Sequence, residues 1–476
     1  MADEKIKINR TEKVARTNNT VKRRRPLAEK IAEEPAILLE KTISESKKIV
    51  ASIENNEPVR KIEEYWHLLG PGLTTGAADD DPSGIATYSQ AGARYGFQWL
   101  WLASFTFPLM AIAQEMCARI GLVTGRGLAA NIKKHFSPRV LYFTTVLLFA
   151  ANTFNIGADL GAMSQVTRLI FPNLNFGFLV IFFAITSLLL QIFTTYQKYA
   201  RYLKWLALVL LSYVFTAMLI EINWKEVAIA TFIPHMTWDK DSLLLVTGIL
   251  GTTISPYLFF WQTSQEVEEE ILQGKTKVKD RIGASDQEIK EMRLDIWSGM
   301  FLSNLVMFFI ISTCSATLHA AGITNIASAA DAASALRPLA GDNAYLLFAI
   351  GVIGTGLLAI PVLAGSVSYA LSEAFGWREG LYNKLSRARA FYGVIIISVF
   401  VGLLLNFIGL DPIKALIYSA VANGLVAPVV LTLIVLISGN KEIMGHRANG
   451  SLNRIFGWLL VIFMSLAGLA TIISLF

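Results

Sequence analysis

Residues 70–84 read Gly70-Pro71-Gly72-Leu73-Thr74-Thr75-Gly76-Ala77-Ala78-Asp79-Asp80-Asp81-Pro82-Ser83-Gly84 and interrupt the first long apolar segment of the chain. Three ionised aspartates facing lipid would cost roughly 8–10 kcal/mol, at about 2.5–3.5 kcal/mol per charge, which one apolar helix does not offset. Pro82 and Gly84 interrupt the helical hydrogen-bond ladder at the same depth and free carbonyl oxygens to act as ligands. An interrupted span with buried acids is typical of a cation site near the bilayer midplane.

The composition excludes an ordinary soluble domain, because 54% of the 476 residues are hydrophobic and only 16% are charged. Residues 1–65 hold 15 of the 42 Lys and Arg and lack the apolar core of a secretory signal, which predicts a cytoplasmic, mostly disordered basic tail. The net charge of +6 does not indicate nucleic acid, since the basic residues lie in this tail and in short loops. Cys117 and Cys314 fall in apolar segments, which predicts buried thiols. Neither a nucleophile and base pairing nor a cofactor motif stands out, so we expect no enzyme and no cofactor.

Windows of about 20 apolar residues predict eleven membrane spans. They cover residues 66–93, 98–122, 139–169, 176–195, 204–222, 241–263, 296–321, 343–373, 391–409, 413–437 and 455–476. Lys and Arg are more frequent in the loops on one side, so the positive-inside rule places the amino terminus in the cytoplasm and the carboxyl terminus outside the cell (inner) membrane.

A second interruption, Gly251-Thr252-Thr253-Ile254-Ser255-Pro256-Tyr257, lies in the sixth span, five spans after the first. A repeat of five spans must insert in the opposite orientation, which brings spans one and six face to face. The sequence therefore predicts an all-α membrane protein with a five-plus-five inverted repeat and broken helices 1 and 6. We expect the first repeat at 66–240, the second at 241–440, and an accessory span at 441–476.

Asp81 is the first candidate metal ligand, because hard divalent cations take carboxylate and carbonyl oxygens. The alternative is that Asp79, Asp80 and Asp81 only cap the helix that follows, as aspartate does at helix amino termini. Polar residues elsewhere in the spans, such as Asn304 and Glu115, are ligand candidates or interhelical contacts. The glutamates of the predicted loop 266–293, namely Glu266, Glu268, Glu269 and Glu270, predict a solvated face.

Several motifs together are similar to the natural resistance-associated macrophage protein family. They are Gly70-Pro71-Gly72, Asp81-Pro82-Ser83-Gly84-Ile85-Ala86-Thr87, Gln90-Ala91-Gly92-Ala93, Tyr95-Gly96, Ala118 to Gly125, Asp159-Leu160 and Gly251 to Pro256. The resemblance covers about residues 66 to 440 and implies a LeuT-like fold and transport of divalent metal ions. The candidate metal residues are Asp81, Asp80, Gly84, Thr252, Ser255 and Asn423, and the candidate coupling or pathway residues are Asp159, Tyr257 and Asp79.

The departures from the family pattern change the expected ion. Gly84 stands where the family has asparagine and Ser255 where it has methionine, which removes a soft sulfur ligand and predicts a wider, oxygen-only site. Such a site suits hydrated Mg²⁺, with Mn²⁺ as a possible second substrate. Ala162 and Tyr257 replace an acid and a histidine of the family's proton route, and the five histidines lie at span ends or in loops, so we expect no proton coupling.

Three alternatives to this function remain open at the level of the sequence. They are a proton-coupled Mn²⁺/Fe²⁺ transporter, a LeuT-fold transporter of an organic cation or amine, and a membrane sensor that transports nothing. The expected partners are a divalent metal ion and the lipid bilayer, with no nucleic acid, and the expected oligomeric state is a monomer.

Overall fold

The computed structural model describes residues 70–193, 211–235, 237 and 239–475, and helices build this part of the chain. The predicted basic tail at 1–65 and the first part of the predicted fifth span lie outside these residues. The helices of the first half are α1 (Pro71–Asp79), α2 (Pro82–Tyr95), α3 (Leu100–Thr124), α4 (Leu128–His135), α5 (Pro138–Ile170), α6 (Phe176–Phe193), α7 (Leu211–Leu219) and α8 (Trp224–Phe232).

The second half begins with another interrupted pair of helices. Its helices are α9 (Lys240–Thr253), α10 (Pro256–Leu272), α11 (Asp286–Cys314), α12 (Ala329–Ser334), α13 (Arg337–Ala340), α14 (Ala344–Phe375), α15 (Arg389–Leu405), α16 (Pro412–Gly439), α17 (Lys441–Met444) and α18 (Ser451–Leu475).

Eight helical segments of the described residues are long and apolar enough to cross a membrane, and α15 is a shorter apolar helix. One of the eight, Pro82–Thr124, contains both α2 and α3. The fifth predicted span is described only over α7. These segments and α15 correspond in order to ten of the eleven predicted spans, all but the fifth, with the first formed by α1 and α2 and the sixth by α9 and α10.

The two interruptions have the same local structure, an extended residue followed by a proline that begins the next half-helix. Asp81 is extended (φ −69°, ψ 171°) before Pro82, and Ser255 is extended (φ −80°, ψ 132°) before Pro256. Proline disfavours the helical region for the residue that precedes it and lacks the N–H that the ladder needs. Each break therefore leaves carbonyl oxygens of the preceding half-helix free for other partners.

Backbone contacts between glycines bring the half-helices close to their neighbours. A Cβ atom on Gly76 of α1 would lie 2.5 Å from the carbonyl carbon of Gly299 on α11. A Cβ atom on Gly251 of α9 would lie 2.6 Å from the Cα atom of Gly424 on α16. Small residues permit such close approach in membrane bundles, where packing rather than the hydrophobic effect holds helices together.

The predicted solvated loop at 266–293 is wrong over most of its length. Helix α10 continues to Leu272 and α11 begins at Asp286, about ten residues before the predicted seventh span. Glu266, Glu268 and Glu270 are buried rather than solvated. The charge of a segment does not reveal this burial, because the covering groups come from distant parts of the chain: Glu268 accepts hydrogen bonds from the Tyr369 hydroxyl and the Leu381 amide.

Other expectations on exposure are confirmed for the described residues. Both cysteines are buried. The four described histidines, His135, His235, His319 and His446, are exposed, and His67 lies outside the described residues.

Candidate functional site

Asp81 lies between the two halves of the first span and is almost fully buried. Its Oδ1 accepts hydrogen bonds from the Gly84 amide (2.8 Å) and the Ser83 hydroxyl (2.6 Å), so it caps α2. Its Oδ2 accepts a hydrogen bond from Nδ2 of Asn155 on α5, at 2.9 Å. One carboxylate oxygen thus serves the helix start, as the alternative interpretation expects, while the other faces the neighbouring helices.

Asp159 shares the Asn155 amide with Asp81. Nδ2 of Asn155 also donates to Oδ2 of Asp159, at 3.2 Å, and both side chains are completely buried. Nδ2 of Asn423, on α16, lies 3.4 Å from the Asn155 oxygen. Asp81, Asn155, Asp159 and Asn423 therefore form one polar cluster that joins three spans.

Asp79 and Asp80 point away from this cluster, toward α11. The Ser303 hydroxyl lies 2.6 Å from Oδ2 of Asp79 and 3.5 Å from Oδ1 of Asp80. Both acids are buried, with exposed fractions of 0% and 3%. The consecutive aspartates are therefore divided between two sides of the break, with Asp81 on the side of α5 and the others on the side of α11.

The sixth-span break meets the first through short side chains. The hydroxyl oxygens of Thr252 and Ser83 lie 3.4 Å apart. The Ser255 hydroxyl lies 2.7 Å from both the Gly251 and the Thr252 carbonyl oxygens, so it donates back to carbonyls that the break frees. The structure brings Asp81, Thr252 and Ser255 into the same buried region, as the sequence predicts.

Tyr257 links the two breaks directly. Its hydroxyl donates a hydrogen bond to the carbonyl oxygen of Ala78, in the last turn of α1, at 3.0 Å. This oxygen is one of those that the first interruption releases. Tyr257 thus occupies a backbone acceptor that would otherwise face the site.

The expectation of extra space beside Gly84 is wrong for this conformation. A Cβ atom on Gly84 would lie 3.0 Å from Oγ1 of Thr252 and 3.3 Å from Cε2 of Tyr88. The space that a larger side chain would take is therefore filled from the sixth span and from the next turn of α2. Gly84 also supplies no side-chain oxygen, so its only contribution to a ligand set is through the backbone.

Several oxygens that could bind a metal ion at the site have no hydrogen-bond partner among the described residues. Within the described part of the chain, three buried oxygens around the breaks have no hydrogen-bond partner, namely Oδ1 of Asp79, Oδ1 of Asp159 and Oδ1 of Asn423. Buried polar atoms are almost always paired, so these three oxygens have acceptor capacity left for a cation or a water. No group of three Asp, Glu, His or Cys among the described residues forms a protein metal cage. One or two carboxylates with retained waters can still hold a hard divalent cation.

Asp295 of α11 binds the start of α1 at one end of the bundle. Its carboxylate accepts hydrogen bonds from the amides of Gly70 (2.9 Å), Gly72 (2.6 Å) and Leu73 (3.0 Å). A second contact joins Thr75 of α1 to Gln262 of α10 through their side chains. The opposite end has a cavity of about 460 Å³ whose lining includes Gln90.

Sequence reasoning missed Asn155, Ser303 and Asp295. Asn155 lies four residues before Asp159 on the same helix, so the spacing places both on one face and could have revealed it. Ser303 and Asp295 carry no such local signal. The secondary candidates Asn304 and Glu115 lie elsewhere: Asn304 contacts Met110, and Glu115 binds Arg293 and Trp297.

Two interrupted helices that meet at buried carboxylates, within an all-helical five-plus-five membrane bundle, define a LeuT-fold transporter. The fold is shared with a manganese transporter of Eremococcus coleocola, with a TM-score of 0.66 at 19% identity over 86% of both chains. It is also shared with MhsT in complex with L-phenylalanine, with a TM-score of 0.54 at 14% identity over 86% of this chain and 98% of that one.

The model of the family described as natural resistance-associated macrophage protein-like matches residues 72–474, and the chain belongs to this family. The resemblance drawn from the motifs is thereby confirmed, and the protein is a membrane transporter rather than an enzyme.

Two divalent metal cation transporters align with most of this chain. One is the divalent metal cation transporter MntH of Erwinia tasmaniensis, 26% identical over 88% of this chain and 96% of its own length. Another is the divalent metal cation transporter MntH of Klebsiella pneumoniae, 28% identical over 87% of this chain and 96% of its own length.

Proposed function

We propose that this protein carries a divalent metal cation across the cytoplasmic membrane by alternating access, with the ion bound between the two breaks. The observation that carries the proposal is the pair of buried carboxylates, Asp81 and Asp159, held together on one amide. Two ionised carboxylates that accept from the same NH₂ group repel each other in a low dielectric, and a divalent cation between them relieves the repulsion. The names of the MntH relatives support the same class of substrate.

Within this class we propose Mg²⁺ as the preferred ion, with Mn²⁺ as a permitted one. Support comes from the donor set, since Asp81, Thr252 and Ser255 offer oxygen and no sulfur. Oxygen ligands suit Mg²⁺ and Mn²⁺, whereas a thioether favours softer metals. Because Gly84 is closely packed, the site is not widened at this position. The proposed preference for Mg²⁺ therefore rests on the type of ligand atom and not on the size of the site.

A proton-coupled Mn²⁺ or Fe²⁺ transporter is the second candidate; the name of the solved manganese transporter supports Mn²⁺ as the ion, and the MntH relatives are named as divalent metal cation transporters. Against coupling, Tyr257 and Ala162 offer no titratable group at neutral pH. Coupling is also not required energetically, since two charges moving down a potential gain about 4.6 kcal/mol per 100 mV. An organic cation fits less well, because Thr252 and Tyr88 fill the space beside the break.

The experiment that tests the site compares two aspartates that both precede a proline and cap a helix. Asp81 caps α2 and Asp411 caps α16, each directly before its proline. Asparagine caps a helix about as well as aspartate, so Asp81→Asn and Asp411→Asn both keep the cap and remove one charge. Binding of Mn²⁺ and Mg²⁺ to the purified protein is measured by isothermal titration calorimetry.

We expect Asp81→Asn to weaken binding by at least about tenfold, as the loss of a charged ligand does, and Asp411→Asn to leave it unchanged. Equal affinities for the two variants would mean that Asp81 is only a helix cap. A wild-type protein that binds neither ion would point to the sensor or the organic-cation alternative instead.

We also propose that the amino terminus lies in the cytoplasm and the carboxyl terminus outside, from the distribution of Lys and Arg in the loops. Under this topology the end at which Asp295 binds α1 faces the cytoplasm. Proteoliposomes carrying a pH-sensitive dye test the coupling: metal uptake without proton flux is expected, and a stoichiometric proton flux would establish the second candidate.

A further inference from the structure

Asn155 is the only side chain of the described residues that hydrogen-bonds to both Asp81 and Asp159. It lies on α5 and is completely buried. Its amide nitrogen donates one hydrogen bond to each carboxylate, 2.9 Å from Oδ2 of Asp81 and 3.2 Å from Oδ2 of Asp159. An amide NH₂ group has two hydrogens, so this nitrogen is saturated. The arrangement places a neutral donor at the point where two negative groups converge.

The same amide carries a good ligand oxygen on its other side. Oδ1 of Asn155 faces Nδ2 of Asn423 at 3.4 Å, a long hydrogen bond. Oδ1 of Asn423 is buried and has no partner among the residues that the structure describes. Two adjacent buried amides thus leave one oxygen weakly bound and the other unbound, which is unusual in a packed interior.

We propose that Asn155 is a ligand of the transported cation, through its side-chain oxygen after the amide turns about its Cβ–Cγ bond. This inference rests on the proposed function. Without the ion, the NH₂ group faces Asp81 and Asp159, because an oxygen there would meet two carboxylates. With a divalent ion on Asp81, the ion repels the NH₂ group and attracts Oδ1, so the preferred orientation reverses.

In the turned state the Asn155 NH₂ group pairs with the Asn423 oxygen after a matching turn of that amide, and the Asn423 NH₂ group takes the position that this oxygen now holds. Amide oxygens are ordinary ligands of hard divalent cations. Asn155 would thereby supply, from α5, the side-chain oxygen that Gly84 does not provide at the first break.

The test uses two substitutions at Asn155 and one at a matched position. Asn155→Leu removes the oxygen and the donor and keeps the branching of the side chain. Asn155→Asp keeps an oxygen ligand and removes the donor. Asn152→Leu is the control, because Asn152 is also completely buried on α5 but donates to Leu363 and Ser366 of α14. Mn²⁺ and Mg²⁺ binding is measured by calorimetry on the full-length protein, with thermal unfolding without metal as the check on folding.

We expect Asn155→Leu to lower the affinity for both ions by about tenfold or more. Asn155→Asp should bind both ions at least as tightly as the wild type, and the affinities of Asn152→Leu should stay within about twofold of the wild type. A residue that only positioned the acids would make Asn155→Asp as weak as Asn155→Leu, since a third carboxylate without a donor disrupts the cluster; that result would overturn the proposal. Wild-type affinity in Asn155→Leu would also overturn it. Absence of binding in the wild type would instead refute the proposed function itself.

Discussion

Replacing Asp295 by asparagine should release α1 from the bundle. The Asp295 carboxylate accepts hydrogen bonds from three backbone amides at the start of α1, those of Gly70, Gly72 and Leu73, which lie at least 222 residues away in the chain. The N-cap residue of α1 is Gly70, which has no side chain to replace it. Asparagine keeps one acceptor oxygen but loses the charge and turns an NH₂ group toward the remaining donors.

The expected cost follows from these contacts. A lost cap costs about 0.5–2 kcal/mol and a lost hydrogen bond to a charged group about 1.5–3 kcal/mol, so we expect roughly 2–4 kcal/mol in favour of states with α1 displaced. That corresponds to a roughly 30- to 700-fold rise in their population.

The assay is the labelling rate of a cysteine introduced at Ala78, which is completely buried at the end of α1. A thiol reagent applied from the side where α1 begins reacts only when α1 moves, so the rate follows the open population. The native Cys117 and Cys314 are buried and are shared by all variants. Glu115→Gln is the control, because Glu115 is another buried carboxylate that binds Arg293 of α11 without contacting α1. An unchanged labelling rate in Asp295→Asn, or an equal rise in Glu115→Gln, would refute the reasoning.

Three further predictions concern other parts of the molecule. Gly76→Ala should lower the melting temperature, since its Cβ meets the Gly299 backbone and overpacking costs about 1–3 kcal/mol, whereas Gly393→Ala, with no described atom within 4 Å, should not; equal effects would contradict this. Gln90→Ala should increase proteolysis after residue 320, because the Gln90 amide donates to the Thr324 carbonyl and accepts from the Ile326 amide, and an unchanged cleavage pattern would show that these bonds do not hold the loop. Burial and the nearby Glu373 and Glu268 raise the pKa of Glu379. Its neutral form is thus favoured in the folded state, and stability falls by up to about 1.4 kcal/mol per pH unit as pH rises from the unfolded to the folded pKa. Glu379→Gln should therefore raise the melting temperature at pH 8 but not at pH 4, and an equal effect at both would refute it.

The parts of the fold that depend on local chemistry could be predicted from the sequence. Pro82 and Pro256 each begin the second half of a broken span, directly after an extended residue, at the two positions where the sequence predicts the breaks. The odd spacing of the two breaks predicted that they meet, and the contact between Ser83 and Thr252 confirms it. The burial of Asp81 among polar groups could be predicted, because a charge in a span that faces lipid costs about 2.5–3.5 kcal/mol.

The parts that failed depend on how distant helices are rotated and packed. The Glu268 side chain was expected in solvent, but the hydroxyl of Tyr369, about a hundred residues away in sequence, covers it. Gly84 was expected to open space, but Thr252 fills it from another span. The amino-terminal cap of α1 comes from Asp295, a contact that no local pattern encodes.

Uptake of Mn²⁺ into proteoliposomes, measured with and without excess Mg²⁺, tests the central claim most directly. We predict uptake by the wild type that excess Mg²⁺ suppresses and no uptake above empty vesicles for Asp81→Asn. Mn²⁺ uptake that is indifferent to Mg²⁺, or that persists in Asp81→Asn, would contradict an oxygen-only site for Mg²⁺ centred on Asp81.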